Sequence, residues 1–232
     1  MHAARLPSNE ALRLRALEEY AILDTAADPL FDDIAAVASI VCEAPIALVS
    51  LIDTTRQWFK ARVGLGVAET PRELAFCAHT ILSPETMIVT DAQQDGRFAD
   101  NPLVTGDPFI RFYAGAPLIT PNGSELGSLC VIDRTPRTLT GDQLKALEAL
   151  SRQVVALLEA RRVSAQLAEA LKNVRTLGRL LPMCAWCRRI RDGDDYWQEV
   201  EQYIEAHTDS AFSHGICEQC ARKTFAAKPP AG

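Results

Sequence analysis

Residues 46–53, IALVSLID, and residues 57–64, QWFKARVG, decide the fold class. The first run is rich in leucine and β-branched residues, and the second alternates Trp58, Lys60 and Arg62 against Phe59, Ala61 and Val63. Both fit the period of two that an extended strand imposes on its side chains. With Asp53 to Arg56 as a short connection they read as an antiparallel hairpin. A second hairpin joins FYAGAPLI (112–119) to LGSLCVID (126–133) across Pro121-Asn122-Gly123, where Asn-Gly supplies the positive φ values of a tight turn. MIVTDA (87–92) adds another strand.

Helical periods surround these strands. Asn9 to Ile22 places Leu12, Ala16, Leu17 and Tyr20 on one side, with Ser8 or Asn9 as its cap. Asp28-Pro29 is a cap followed by proline at the first helical position, and Phe31, Ile34, Val37, Ala38 and Val41 give the second helix a buried face. Glu73 to Leu82 reads as a short helix, and the twenty residues after Asp91 as a loop. The fold class is α+β, an antiparallel sheet flanked by helices.

Thr140 to Leu181 reads as one long helix. Thr140 and Gln143 have the spacing of a capping box, and the Leu181-Pro182 step marks the end. At about 1.5 Å per residue it would be on the order of 60 Å long, more than a small domain is wide. Its first half fits packing against its own domain. Arg161 and Arg162 interrupt the apolar stripe, and beyond them Leu167, Ala170, Val174, Leu177 and Leu181 follow the 3-4 spacing of a two-stranded coiled coil. A homodimer through this seam is expected.

After the helix the chemistry changes. Cys184-Ala185-Trp186-Cys187 and Cys217-Glu218-Gln219-Cys220 are two CxxC pairs 29 residues apart. Four thiolates from two such knuckles suit a tetrahedral structural Zn²⁺ site, so Cys184, Cys187, Cys217 and Cys220 are the candidate metal ligands. Asp194 or Asp195 is expected to cap a helix carrying Trp197, Val200 and Ile204, and Cys217 to Ala226 to form a final helix. His214 is expected to support the site rather than ligate. From Leu181 to the end six basic residues face eight acidic ones, which disfavours nucleic-acid binding.

The whole chain of 232 residues has a net charge of −6 and a pI of about 5.3, against non-specific binding to DNA or acidic membranes. No apolar run approaches the roughly 20 residues of a membrane span, and no signal peptide is recognisable near Met1. Seven cysteines without an export signal point to thiols and metal ligation, and to a cytoplasmic location. The expected organisation is a sensor-like domain over 1–160, a helical dimerisation linker over 161–181, the four-cysteine module over 182–226 and a disordered tail over 227–232.

Residues 10 to about 160 resemble a GAF domain. The motifs are APIALVSLID followed by QWFKARVG, then TPRELAFCAHTI, VTDAQQDGRFADNPLVTGDPFIRFYAGAPL, and ELGSLCVIDRTPRTLT running into the long helix. The resemblance implies a PAS-like fold with a central antiparallel sheet of five or six strands, and a regulatory module whose helices transmit a signal. Such domains host cyclic nucleotides, bilins, haem or small metabolites. Residues 184–220 resemble the small CAxC...YW...FSHGICxxC module that follows sensor domains in bacterial signalling proteins.

The pocket this implies lies between one sheet face, the Glu73 to Leu82 helix and the loop after Asp91. Its candidate ligand-binding residues are Phe76, Cys77, His79, Asp91, Arg97, Asn101, Arg111 and Tyr113. Two readings of the loop stand side by side. In one, an Asx turn at Asp100-Asn101-Pro102 and pairing of Arg97 and Arg111 with the loop's aspartates hold it closed. In the other, Arg97 or Arg111 offers its fork to a ligand carboxylate or phosphate. Cys77 and His79 are two positions apart, about 200° around a helix, and so would not both face one ligand.

Some GAF-fold proteins reduce free methionine sulfoxide with paired cysteines, and Cys42, Cys77 and Cys130 lie in this domain. A thiol mechanism needs one low-pKa nucleophile with a resolving cysteine close by, and none of the three is set in a basic loop. The expected function is therefore a cytoplasmic signalling regulator without catalytic activity, in which a small ligand or partner biases the helix pair and the four-cysteine module reports to another signalling protein. A thiol reductase and a zinc-dependent DNA-binding regulator are the alternatives.

Overall fold

The two hairpins form the centre of one six-stranded antiparallel sheet. The computed structural model describes residues 2–177, 182–191, 197–207 and 211–225. These fall into two compact units, Met1–Leu167 and Ala168–Gly232, divided within the long helix. In the first unit α1 (Glu10–Glu19) and α2 (Pro29–Val41) lead into strands β1 (Ile46–Ile52), β2 (Arg56–Val63) and β3 (Glu69–Pro71). There follow α3 (Phe76–Thr80), β4 (Met87–Val89), α4 (Pro102–Thr105), β5 (Phe112–Ile119) and β6 (Glu125–Asp133), then the long helix α5 (Gly141–Leu177). The strand order is β3-β2-β1-β6-β5-β4.

Three differences from the expected elements have local causes. β3 is a three-residue edge strand, ETP, too short to carry a period. The segment expected as one helix from Glu73 to Leu82 is a 3-10 turn, Arg72–Leu74, followed by α3. The loop after Asp91 contains α4, started by the Asn101 side chain accepting the Leu103 amide at 2.9 Å with Pro102 at the first helical position.

Each face of the sheet carries its own core. On one face Ala47, Val49 and Leu51 of β1 and Leu129 and Val131 of β6 pack under Leu17, Phe31, Ala35, Ala38 and, from α5, Leu147, Val154 and Leu158. On the other, Ile46, Leu48 and Ile52 join Tyr113, Cys130 and Ile132 beneath Phe76, Phe98, Val104 and Ile110. β2 breaks its expected alternation at Lys60. Val49 pairs with Ala61 and Ser50 with Phe59, so Lys60 is the extra residue of a bulge. Its ammonium leaves the sheet to reach the Ala26 carbonyl at 2.6 Å, while Trp58 and Ala61 enter the helical core and Phe59 the opposite one.

α1 is held both by its apolar side, Leu17 and Tyr20 being buried with Ala16 packed against them while Leu12 is exposed, and by charge. Arg13 is fully buried, grips Glu10 through Nε and Nη2 at 2.8 Å each, and donates from Nη1 to the Ile52 carbonyl at 2.7 Å. The expected capping box opens α5: the Thr140 amide donates to Gln143 Oε1 at 3.0 Å and the Gln143 amide to Thr140 Oγ1 at 3.2 Å. The arginines that interrupt its stripe are anchors. Arg161 pairs with Asp28 at 3.3 Å, and Arg162 pairs with Glu159, itself bonded to Tyr20, at 2.9 Å. Past them Val163, Leu167 and Leu171 are 53%, 59% and 54% exposed.

In the second unit β7 (Ile190–Arg191) and β8 (Trp197–Gln198) pair antiparallel, followed by α6 (Val200–His207) and α7 (Glu218–Phe225). Trp197, expected on a helix with Val200 and Ile204, instead belongs to β8, with the Arg191 guanidinium over its ring at 5.9 Å. The expected cap at Asp194 or Asp195, the helix end at Gly178 to Leu181 and the tail over 227–232 lie outside the described residues. Among the described residues no helix is long and apolar enough to cross a membrane.

Candidate functional site

A cavity of about 310 Å³ opens on the sheet face that α3 and the loop after Asp91 cover. Ile46 and Leu48 of β1, Phe59 of β2 and Ile132 of β6 form its floor, and Phe76, Leu103 and Ile110 come from the covering segments. The strand period delivers the floor: 46 and 48 point to the same side, and Ile132 stands opposite Ile46 in the β1–β6 register. Gln57, Cys77 and Tyr113 are polar members of a mainly apolar lining that also includes Glu69, Thr70 and Asp107.

The polar atoms of Gln57, Cys77 and Tyr113 belong to one buried network. Gln57 Nε2 donates to Ser50 Oγ at 2.9 Å and to Cys77 Sγ at 3.0 Å. The Tyr113 hydroxyl lies 2.7 Å from Thr80 Oγ1, 3.3 Å from Ser128 Oγ and 3.3 Å from Cys77 Sγ. Gly115 makes room for this ring, since a Cβ there would stand 2.1 Å from the Tyr113 hydroxyl. Cys130 completes the group, its sulfur 3.7 Å from that of Cys77. Burial alone would raise the Cys77 pKa, but hydrogen bonds from Cys130, Ser128, Ser50 and Tyr113 outweigh it and bring the thiol below its ordinary range. Cys130 moves up, because its bond to Cys77 favours its protonated form and burial adds to that. Burial raises Tyr113 well above an ordinary phenol.

Of the eight candidate ligand-binding residues, Phe76, Cys77 and Tyr113 line the cavity. The other five are engaged elsewhere. Arg111 forks onto Asp91 with two bonds of 2.9 Å, and Arg97 onto Asp95 at 2.9 and 2.6 Å while covering the Phe98 ring. Asn101 caps α4 and donates from Nδ2 to the Leu74 carbonyl at 3.0 Å. His79 Nε2 lies 3.2 Å from the His2 carbonyl, its ring edge-on to Phe98 at 4.8 Å; burial, then the nearby Arg97 charge, lowers its pKa. The loop's charges close the loop, as the first of the two readings has it.

Sequence reasoning missed Ser50, Gln57, Ser128 and the pairing of Cys130 with Cys77. A signal was present: Ser50 shares the phase of Ile46, Leu48 and Ile52, and Ser128 that of Cys130 and Ile132, so two hydroxyls fall on an apolar face. Which thiol meets them depends on how α3 crosses the sheet, and no local pattern encodes that.

In the second unit each CxxC forms a knuckle. The Cys187 amide points at Cys184 Sγ at 3.5 Å and the Cys220 amide at Cys217 Sγ at 3.5 Å, and these backbone bonds lower both receiving thiols below their ordinary pKa. Arg188, at φ 63°, turns the chain back after the first pair. Two thiols per knuckle with amides aimed at sulfur are donor chemistry that suits zinc. Among the described residues no three His, Cys, Asp or Glu side chains converge as metal ligands would.

A family model described as GAF domain matches residues 26–158. A cyclic di-GMP phosphodiesterase of Pseudomonas aeruginosa is 47% identical over 151 residues, which are 65% of this chain and 26% of that protein. The chain thus spans about a quarter of the length of this curated relative. An expectation falls here: the reading of a protein without catalytic activity is overturned by a relative that is named as an enzyme, although the match covers its GAF part alone. The GAF domain of an Acinetobacter phosphoenolpyruvate-protein phosphotransferase superimposes with a TM-score of 0.51 at 16% identity, covering 68% of this chain and 97% of that one. The blue-light-absorbing form of the Thermosynechococcus elongatus PixJ GAF domain does so with a TM-score of 0.51 at 17% identity, covering 69% and 95%. Both likenesses bear on the fold. On its family match and its sheet, the chain belongs to the GAF domain family, a family of sensor domains.

Proposed function

We propose that this protein is a signalling regulator whose GAF cavity takes up a small, mainly apolar molecule and passes its occupancy to α5. The observation that carries this reading is the cavity itself: about 310 Å³, mainly apolar walls, and a few polar groups from Gln57, Cys77 and Tyr113, with Glu69, Thr70 and Asp107 also in the lining. That is the make-up of a small-molecule site, in which apolar area supplies affinity and a few polar groups set orientation. Ligand uptake reaches α5 through the sheet, whose opposite face packs on Leu147, Val154 and Leu158.

Beyond the domain, α5 pairs with a second copy through Leu167, Leu171 and the residues that continue the stripe. The second unit is a zinc-stabilised interaction module in which Cys184, Cys187, Cys217 and Cys220 would hold the ion and another signalling protein reads the result. The donor set and the amide-to-sulfur bonds support this. The name of the Pseudomonas aeruginosa relative supports placing the output in cyclic di-GMP signalling.

Native mass spectrometry of untreated full chain tests the proposal in one measurement. A bound small mass lost in Leu48→Trp, which fills the cavity, supports the sensor reading; an identical spectrum for both proteins overturns it. One equivalent of zinc lost in Cys184→Ser supports the module, whereas folded, zinc-free wild type removes it. Cellular cyclic di-GMP that is the same with wild type and Leu48→Trp would remove the link to that dinucleotide.

A further inference from the structure

Cys77 on α3 and Cys130 on β6 meet across the second core with their sulfurs 3.7 Å apart, van der Waals contact for two thiols. The domain's remaining cysteine provides a contrast. Cys42 follows α2 in the opposite core, where its sulfur has the Gln143 carbonyl at 4.0 Å and, among the described residues, no thiol at bonding distance. Cys77 and Cys130 are 1% and 0% exposed, so a bulky reagent does not reach them from solvent. Cys77 nevertheless lines the cavity, which is many times larger than a molecule of hydrogen peroxide.

We propose that Cys77 and Cys130 are a peroxide-sensing dithiol, oxidised to a disulfide by a small neutral peroxide that enters through the cavity. This goes beyond the ligand-sensing reading and does not require any ligand to be bound. The two cysteines have distinct roles. Cys77 receives bonds from Gln57 Nε2 at 3.0 Å and from the Tyr113 hydroxyl at 3.3 Å, so its thiolate is held without a neighbouring cation. Cys77 is accordingly the nucleophile, and Cys130, which keeps its proton, resolves.

In the first step the Cys77 thiolate attacks one peroxide oxygen, the O–O bond breaks, and the departing hydroxide takes a proton and leaves as water. Cys77 is then a sulfenic acid. In the second step the Cys130 sulfur attacks the Cys77 sulfur, its proton joins the sulfenic hydroxyl, and a second water leaves. Two thiols and one peroxide give one disulfide and two waters; the sulfurs lose two electrons and the peroxide gains them.

The bond has a structural consequence. Sulfurs at 3.7 Å must approach by about 1.7 Å to reach the roughly 2.0 Å of a disulfide. β6 is hydrogen-bonded on both sides, to β1 and β5, whereas α3 is a single five-residue segment. α3 therefore moves, and it carries Phe76, which stacks on Phe98 at 3.9 Å and walls the cavity. Oxidation reshapes the pocket from its covering side.

The test exposes the full chain to a small excess of hydrogen peroxide, quenches in acid, alkylates and maps the peptides by mass spectrometry. The expected product is a Cys77–Cys130 cross-link two hydrogens lighter than the separate peptides, reversed by dithiothreitol. In Cys130→Ser a sulfenic acid trapped by dimedone should accumulate at Cys77; in Cys77→Ser, Cys130 should stay reduced. Circular dichroism of both serine variants verifies their fold. Complete alkylation of both cysteines in wild type at peroxide levels that oxidise Cys184 and Cys187 overturns the proposal. So does a sulfenic acid that persists at Cys77 in wild type without a cross-link. The covalent readout needs no ligand, so its outcome is separate from that of the cavity-filling variant.

Discussion

Arg111 and Asp91 meet side-on, Nε to Oδ1 and Nη2 to Oδ2, both at 2.9 Å. Their backbones join at the same place, the Ala92 amide donating to the Arg111 carbonyl at 2.6 Å, so the pair clasps the two ends of a twenty-residue excursion. A guanidinium already matched bidentately has little of its fork left for a ligand. Arg111→Ala and Asp91→Ala should each speed proteolytic cleavage within 92–111 to the same extent, and the double variant no further. Additive effects would mean that the two side chains act apart.

Glu10 makes the N-terminal helix sensitive to acid. Burial raises its pKa, but bonds from Arg13 and Arg72 outweigh this, and the carboxyl falls from an ordinary 4.5 to about 2. A folded-state pKa below the unfolded one contributes stability that is present above the unfolded value and lost as pH falls toward the folded one. Wild type should therefore lose thermal stability between about pH 4.5 and pH 2. Glu10→Gln should be less stable than wild type at pH 7 and should lose less over that window. Parallel melting-temperature curves for the two proteins would overturn the assignment.

Gly127 of β6 stands opposite Leu51 of β1. A Cβ there would stand 1.9 Å from the Ser50 carbonyl oxygen, a backbone atom of the central sheet rather than the end of a flexible side chain. Gly127→Ala should cost at least about 3 kcal/mol, the upper end of what overpacking a core costs, because strand separation is the only relief. At Gly115 the obstacle is instead the Tyr113 side chain. Gly115→Ala should be milder by denaturant unfolding while displacing the hydroxyl from Cys77.

The two hairpins were legible because hydrophobic alternation and an Asn-Gly turn are local signals, and the α5 capping box because both its halves lie within four residues. The β2 bulge was not. Lys60 looks like one more alternating residue until the Ala26 carbonyl, on the chain before α2, takes its ammonium. The pocket divides the same way. Phe76, Cys77 and Tyr113 were found from their place in the motifs, whereas the charged loop residues drew attention that their neighbours Asp91 and Asp95 already satisfied. Cys130 reads as one apolar strand residue among several; its significance comes from a long-range contact with α3.

The far half of α5 yields the last prediction. Leu147, Val154 and Leu158 are buried in the first unit, and Arg161 and Arg162 fasten the helix there. Val163, Leu167 and Leu171 continue the stripe at more than half exposure, and scattered exposure of that kind is ordinary, but a periodic run of it along a helix suits a coiled-coil partner. A lysine at a seam position must be desolvated or displaced when two copies meet, whereas in the monomer it stays in water. Leu167→Lys with Val174→Lys should thus weaken self-association by at least about tenfold, or 1.4 kcal/mol, in sedimentation equilibrium. The melting of the first unit should be unchanged, because Leu167 is 59% exposed and Val174 belongs to the second unit. A dimer of undiminished affinity would place the seam on another surface, and loss of the first unit's fold would mean that the far half of α5 supports the domain directly.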